Sequence, residues 1–329
     1  MNLDDFKLYS KLDSQNMYAE IVSLPDQLEY AWKLGNKMDL PAWTSIKNIL
    51  ISGMGGSAIG GDLLIEFIKD KCPVPVILHR DYELPAWASG ESTLVVACSH
   101  SGTTEETLTS FQTARERGCK TVVISTGGSL AEQGREAGCP VWIFEHNGQP
   151  RSAIGYSFGL LLALVFRLHL IDDPRDQLVD AIKVMRENLK SLQADVPVVH
   201  NPAKRLAGQL IDRDITVVGA GYLNVIARRW KCQLNELAKC WAEFEYLPEA
   251  DHNTVAGLTH PEELLYKRMV VFLSSSLLYP RNLLRSRITR EKFMVEGINT
   301  DFYESNGSSI LAHLWSALQF GDFVSYYLA

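Results

Sequence analysis

The 329-residue chain is 46% hydrophobic and 22% charged, with a formal net charge of −7; this is an ordinary globular composition, long enough for two domains that each bury a core. It carries no basic run or arginine stripe, which argues against a nucleic-acid partner, and its longest apolar run, IGYSFGLLLALVF at 154–166, is too short to span a bilayer. Its six cysteines, at 72, 98, 119, 139, 232 and 240, form no CxxC pair and read as reduced, buried thiols of a cytoplasmic protein, not as a disulfide framework or a zinc site.

The N-terminal stretch MNLDDFKLYSKLDSQ is acidic and lacks an apolar centre, so no signal peptide is expected there. Beyond it, short apolar runs read as strands: IKNILIS at 46–52, VPVILH at 74–79, STLVVAC at 92–98, KTVVIST at 120–126 and PVWIFE at 140–145. Being almost continuously apolar, they suit a parallel sheet covered on both faces. Helical patterns such as GSAIGGDLLIEFIKD and TEETLTSFQTARERG alternate with them, which is the mark of an α/β domain with right-handed crossovers. From 156 to about 195 the texture is helical, with little strand character. The α/β rhythm then restarts: DITVVGAGYLNVIARRWKCQLNELAK repeats the strand, glycine turn and helix of KNILISGMGGSAIGGDLL. WAEFEY, KRMVVFLSS and EKFMVEGI are expected to supply further strands, and SSILAHLWSALQFGDFVSYYLA a closing apolar helix. The expected organisation is therefore an α/β domain over 1–155, a helical connector over 156–200 and a second α/β domain over 201–329, each domain a parallel sheet flanked by helices.

Two loops of the first domain carry unusual chemistry. SHSGTTEETL at 99–108 places Ser99, Ser101, Thr103 and Thr104 directly after an apolar strand. Ser101 or Thr103 could cap the next helix, with Glu105 or Glu106 completing the box. Four hydroxyls exceed what a cap needs, however, and a bed of hydroxyls and N–H groups at a helix start suits a phosphate. GMGGSAIGGD at 53–62 follows the first strand and fits the dinucleotide pattern through Gly53, Gly55 and Ala58, with Asp81 as the acid after the second strand. Ser57 sits at a position that pattern keeps apolar, and a dinucleotide would leave the hydroxyl bed idle. Both loops leave the C-terminal ends of strands in one sheet, where open α/β sheets bind ligands. They read best as two walls of one phosphate site.

Three further segments hold candidate groups. QPRSAIGYS at 149–157 puts Arg151 just before a helix, where a cation is poorly placed against the helix dipole. KCQLNELAK at 231–239 carries Glu236, which by itself reads first as a solvated helical acid paired to Lys239 or Arg229. YLPEADHNTVAGL at 246–258 carries His252 in an acid- and amide-rich loop; a histidine can exchange protons near neutral pH. The remaining histidines, His260 and His313 among them, read as structural.

The ordered set GMGGSAIGGD, SHSGTTEET, PRSAIGYS, RRWKCQLNELAK, EADHNTVAGL and GDFVSYYLA resembles the bifunctional phosphoglucose/phosphomannose isomerases, a small prokaryotic branch of the phosphoglucose isomerase superfamily, over residues 45–329. The resemblance implies two sugar-isomerase (SIS) domains and interconversion of fructose 6-phosphate with glucose 6-phosphate and mannose 6-phosphate. It implies that the phosphate sits among Gly56, Ser57, Ser99, Ser101 and Thr104. It makes Glu236 the base that moves a proton between C2 and C1 through a cis-enediol, and Arg151 the cation beside the enediolate. It makes His252 the ring-opening group, contributed across a homodimer interface. Such chemistry requires no metal or organic cofactor. Two departures stand out. Relatives continue past the YYLA helix with a tail bearing a lysine that assists ring opening, and no lysine here corresponds to it. Leu237 also replaces an expected polar neighbour of Glu236. On the residues alone, a sugar-phosphate-binding module without catalysis stays open as the alternative.

Overall fold

Strands that are apolar along their whole length need helices on both faces, and the chain supplies this arrangement twice. The computed structural model describes residues 3–5, 9 and 11–329; residues 1, 2, 6–8 and 10, in the stretch expected to lack a signal peptide, lie outside the described residues. The chain divides into two compact units, one of Ser23–Asp176 and one of Met1–Val22 together with Gln177–Ala329. Helix α1 (Met17–Val22) belongs to the latter.

The unit Ser23–Asp176 runs α2 (Leu24–Gly35), β1 (Asn48–Ser52), α3 (Gly55–Ile68), β2 (Val76–His79), β3 (Thr93–Ser99), α4 (Glu105–Glu116), β4 (Lys120–Ser125), α5 (Gly128–Glu136), β5 (Val141–Ile143) and α6 (Ile154–Arg167). Its five strands are all parallel, in the order β2-β1-β3-β4-β5. The middle strand β3 is buried at every position, as expected of a run apolar on both faces. Helix α3 lies on one face of the sheet, where its Gly61 meets Ile51, and α4 on the other, where its Ala114 packs with Leu50. Helix α6 packs on α2 and α3. On the opposite side Ala97, Phe111, Val123 and Leu130 form a core cluster that joins β3 and β4 to α4 and α5.

The other unit contains α7 (Arg175–Leu192) from Gln177 onward, α8 (Pro202–Leu210), β6 (Asp214–Ala220), α9 (Asn224–Glu236), β7 (Ala242–Leu247), β8 (Arg268–Ser274), α10 (Pro280–Val295), β9 (Asn299–Glu304) and α11 (Ile310–Leu328). Its sheet is again all parallel, ordered β7-β6-β8-β9. Helix α11 packs against α8 and α9 and is buried along most of its length. Residues 156–200 hold two helices, α6 to Arg167 in one unit and α7 from Arg175 to Leu192 mostly in the other, with non-helical chain between and after them.

Two expectations need correction. EKFMVEGI does not form a strand: residues through Val295 complete α10, and the strand is the following NTDFYE. The cysteines form no disulfide, but only Cys98 and Cys119 are buried; Cys72, Cys139, Cys232 and Cys240 are half-buried. Burial pushes the Cys98 thiol up to about 12, which leaves it protonated and inert at neutral pH. Among the described residues no helix is long and apolar enough to cross a membrane.

Candidate functional site

In the five-stranded sheet the strand order reverses between β1 and β3, and a crevice opens there beyond the strand ends. The register aligns those ends: Ser52 lies beside Ala97, and Ser99 beside Ser125. The loops after β1, β3 and β4 consequently stand side by side. This is the place where the sequence puts GMGGS and SHSGTT.

The hydroxyls of the second loop are organised among themselves. Ser99 Oγ lies 2.8 Å from Thr104 Oγ1 and accepts the Gly102 N–H at 3.0 Å. Ser101 Oγ accepts from the Thr103 N–H at 3.2 Å and from its hydroxyl at 3.0 Å. The capping reading of Ser101 or Thr103 is not what forms. Thr104 occupies the N-cap of α4, and no described side chain caps that helix. The N-cap of α3, Met54, likewise has no described side-chain cap. Two helix N-termini and a bed of hydroxyls thus share one crevice, a combination suited to an oxyanion. Gly102 has φ of 68°, and a Cβ there would sit 1.8 Å from the Gly127 carbonyl oxygen, so the loop after β4 presses directly against the hydroxyl loop.

Arg151 lies in a short 3₁₀ turn, Pro150–Ser152, that leads into α6. The turn packs on the first turn of α3: a Cβ added at Gly56 would lie 2.6 Å from the Pro150 carbonyl oxygen and 3.3 Å from Arg151 Cα. Gly56 is therefore needed for the approach of the Arg151 turn. The structure thus gathers Gly56, Ser57, Ser99, Ser101, Thr104 and Arg151 within one unit, around the ends of β1 and β3. Asp81, the acid of a dinucleotide reading, accepts the N–H of its neighbour Tyr82. Two histidines read from the sequence only as structural stand beside the same loops. His100 Nε2 is 2.8 Å from His146 Nδ1. The only local signal was the position of His100 inside the hydroxyl stretch; its partner is 46 residues away.

Glu236 and His252 belong to the other unit. Glu236 is the last residue of α9, and the Lys239 ammonium donates to its backbone carbonyl at 2.7 Å. Earlier on the same helix, Arg229 makes a two-point contact with Asp322 of α11, at 3.0 and 2.7 Å, with both side chains buried. Burial pushes the Asp322 carboxyl up, while Arg229 beside it opposes that shift. His252 ends a 3₁₀ turn, Glu249–His252, and is exposed. Its neighbour Asp251 anchors the turn by accepting from Arg285 Nη1 and Thr289 Oγ1, both at 2.7 Å.

The second sheet has its own reversal, between β6 and β8, but the chain's own side chains fill it. Ser275 Oγ contacts the Tyr222 hydroxyl, lies 2.6 Å from His313 Nδ1 and accepts the Leu277 N–H at 3.0 Å. Ser275, Tyr222 and His313 are all buried, and burial pushes the Tyr222 phenol up to about 12. His313 is structural here. Among the described residues no group of three or more His, Cys, Asp or Glu side chains is arranged to hold a metal ion.

Comparison with known proteins gives a consistent picture. Residues 199–329 match the family model of the bacterial phospho-glucose isomerase C-terminal SIS domain. The chain is 40% identical over 317 residues to a bifunctional phosphoglucose/phosphomannose isomerase of Caldicellulosiruptor bescii, covering 95% of this chain and 93% of that protein. It is 33% identical over 287 residues to the protein of the same name from Aquifex aeolicus, covering 87% and 85% respectively. Among solved structures, the C-terminal domain of glucosamine-fructose-6-phosphate aminotransferase from Francisella tularensis has the same fold, with a TM-score of 0.73 at 14% identity over 94% of this chain and 93% of that one.

Proposed function

The chain belongs to the family of bifunctional phosphoglucose/phosphomannose isomerases, and from that premise we propose that it interconverts fructose 6-phosphate with glucose 6-phosphate and mannose 6-phosphate. The names of its relatives support the isomerase activity. The observation that carries the substrate class is the hydroxyl bed of Ser99, Ser101 and Thr104 at the strand reversal, beside two helix N-termini and the Arg151 turn. Gly56, Ser57, Ser99, Ser101 and Thr104 hold the phosphate in this reading. A non-reacting anchor of that kind supplies binding energy that orients the reacting end.

The chemistry is a proton transfer beside a carbonyl. Glu236 takes the C2 proton of the open-chain aldose, and the bonding electrons move into the C1 carbonyl to give the cis-enediolate. The Arg151 guanidinium stabilises the charge developing on oxygen. Return of the proton to C1, with transfer of the O2 hydroxyl proton to O1, yields the ketose. Carbon is oxidised at C2 and reduced at C1 within one molecule, so no external oxidant or reductant enters. Glucose and mannose 6-phosphates differ only at C2 and give the same enediol. His252 assists ring opening, donated by the partner in a homodimer; its exposure within its own chain agrees with that role.

The test is conversion of fructose 6-phosphate by the unaltered chain and by Glu236→Gln. Both aldose phosphates are expected from the former. The variant is expected to bind substrate normally and to lose about two to four decades of rate, the usual worth of a general base. Unchanged turnover in the variant removes Glu236 from the mechanism. Binding without turnover in the unaltered chain favours a sugar-phosphate-binding protein instead.

A further inference from the structure

We propose that His100 and His146 form a positioning link, through which occupancy of the phosphate cradle sets the placement of Arg151. His100 stands between Ser99 and Ser101 in the hydroxyl loop, and its carbonyl oxygen is held by Thr126, which donates from its hydroxyl at 2.6 Å and its N–H at 3.1 Å. His146 lies on the segment after β5 that leads to the Arg151 turn. Its Nδ1 is 2.8 Å from His100 Nε2, and its Nε2 is 3.5 Å from Ser152 Oγ, the neighbour of Arg151.

The hydrogen bonds assign the direction of this chain. The Ser152 hydroxyl donates to the Gln149 carbonyl at 2.7 Å, so its oxygen faces His146 as an acceptor. His146 then carries its proton on Nε2 and presents the lone pair of Nδ1 to the Nε2–H of His100. Donation runs in one sense, from the hydroxyl loop through both rings to the turn. Aromatic contacts fix the ring planes: Phe144 stacks on Tyr156 at 5.2 Å, His100 meets Phe144 edge-on at 5.9 Å, and His146 lies 5.3 Å from Tyr156. The Arg151 turn is thus held from two sides, by Gly56 of the first cradle loop and by the imidazole link to the second. A phosphate that orders residues 99–104 fixes His100, and through His146 fixes the turn that aims the guanidinium. A misplacement of about 1 Å at such a group is enough to cost up to a hundredfold in rate.

The role of Arg151 in this inference rests on the isomerase reading; the coupling itself is measured without turnover. Amide hydrogen exchange is followed in the full chain with and without inorganic phosphate. In the unaltered chain phosphate is expected to slow exchange both at 99–104 and at 147–153. In His146→Ala, and in His146→Gln, which reaches Ser152 but has no acceptor at the place of Nδ1, only the first segment is expected to slow. Phosphate affinity is expected to stay within about twofold. With fructose 6-phosphate, kcat of both variants is expected to fall about tenfold to a hundredfold with KM nearly unchanged. Slowing at 147–153 that persists in both variants overturns the link, because the Gly56 contact then carries the coupling alone. A parallel loss of phosphate affinity also overturns it, leaving His146 a mere support of the cradle. Phosphate that leaves 147–153 unaffected in the unaltered chain overturns it as well. Absence of turnover in the unaltered chain counts against the isomerase reading only, and the exchange result still decides the link.

Discussion

Ser99 and Ser101 are two residues apart in the same loop, and the structure gives them different work. Ser99 is buried, accepts the Gly102 N–H and pairs with Thr104. Ser101 is exposed and, among the described residues, its side chain bonds within its own turn, to Thr103. Ser99→Ala leaves the buried Gly102 N–H without its acceptor and is expected to cost about 1–3 kcal/mol of stability as well as affinity. Ser101→Ala is expected to cost under about 1 kcal/mol of stability while weakening hexose 6-phosphate binding about tenfold, as loss of a hydrogen bond to a charged group implies. Denaturant unfolding and binding calorimetry on the two variants separate these effects. If Ser101→Ala binds the sugar phosphate with unchanged affinity, Ser101 has no place in the cradle. Residues of this kind were legible in the sequence because four hydroxyls after an apolar strand have no packing purpose. The His100–His146 pair was not, since nothing local announces which rings the fold of β3 and β5 will bring together.

At the scale of elements, the legible parts were those with one simple environment. Strands β1, β3, β4, β6 and β8 lie within their sheets, and continuous apolar runs mark them. Strand β9 pairs on one side only and carries exposed or half-exposed residues along its length, so its polar sequence NTDFYE hid it. The apolar FMV beside it drew the strand reading, although Phe293 is buried by packing at the end of a helix. The motif GDFVSYYLA also had no evident task until Asp322 was found against Arg229. That pair ties α11 to α9, the helix that ends at Glu236. A buried ion pair is costly to break and cheap to replace as a unit. Asp322→Ala is expected to destabilise the chain by about 3–5 kcal/mol, whereas Arg229→Met combined with Asp322→Leu recovers most of that loss. Chemical denaturation of the single and double variants measures it. If the double variant is as unstable as the single, the cost comes from packing around α11 and not from an orphaned charge.

At the scale of the whole molecule, the repeat of strand, glycine turn and helix was visible in the sequence, and both units carry it as a parallel sheet. Their chemistry differs for a physical reason. At the reversal of the second sheet, Tyr222, Ser275 and His313 satisfy one another in a buried cluster, whereas at the first sheet Ser99 is buried but Ser101 and Thr103 are exposed. The grouping of Met1–Val22 with Gln177–Ala329 has no local sequence signal, because it depends on contacts between distant segments.

His252 and Glu236 share a unit, yet the proposed reaction draws the histidine from a second copy of the chain. Subunit mixing tests that arrangement directly. Glu236→Gln and His252→Ala are each prepared as weakly active proteins, and mass measurement establishes that each is dimeric. They are then unfolded together in equal amounts and refolded. If the histidine crosses the interface, a mixed dimer has one site with an intact Glu236 and an intact His252, and one site with neither. Random pairing makes half the dimers mixed, so about a quarter of the sites recover full activity. If each site uses its own histidine, every site in every dimer lacks one group and mixing restores nothing. The readout is a ratio of activities before and after exchange, and it is largest when each single variant is nearly inactive. It also separates crossing from mere stabilisation, since a stabilising partner raises the activity of both parents' sites while a crossing histidine creates a fully competent class that neither parent contains.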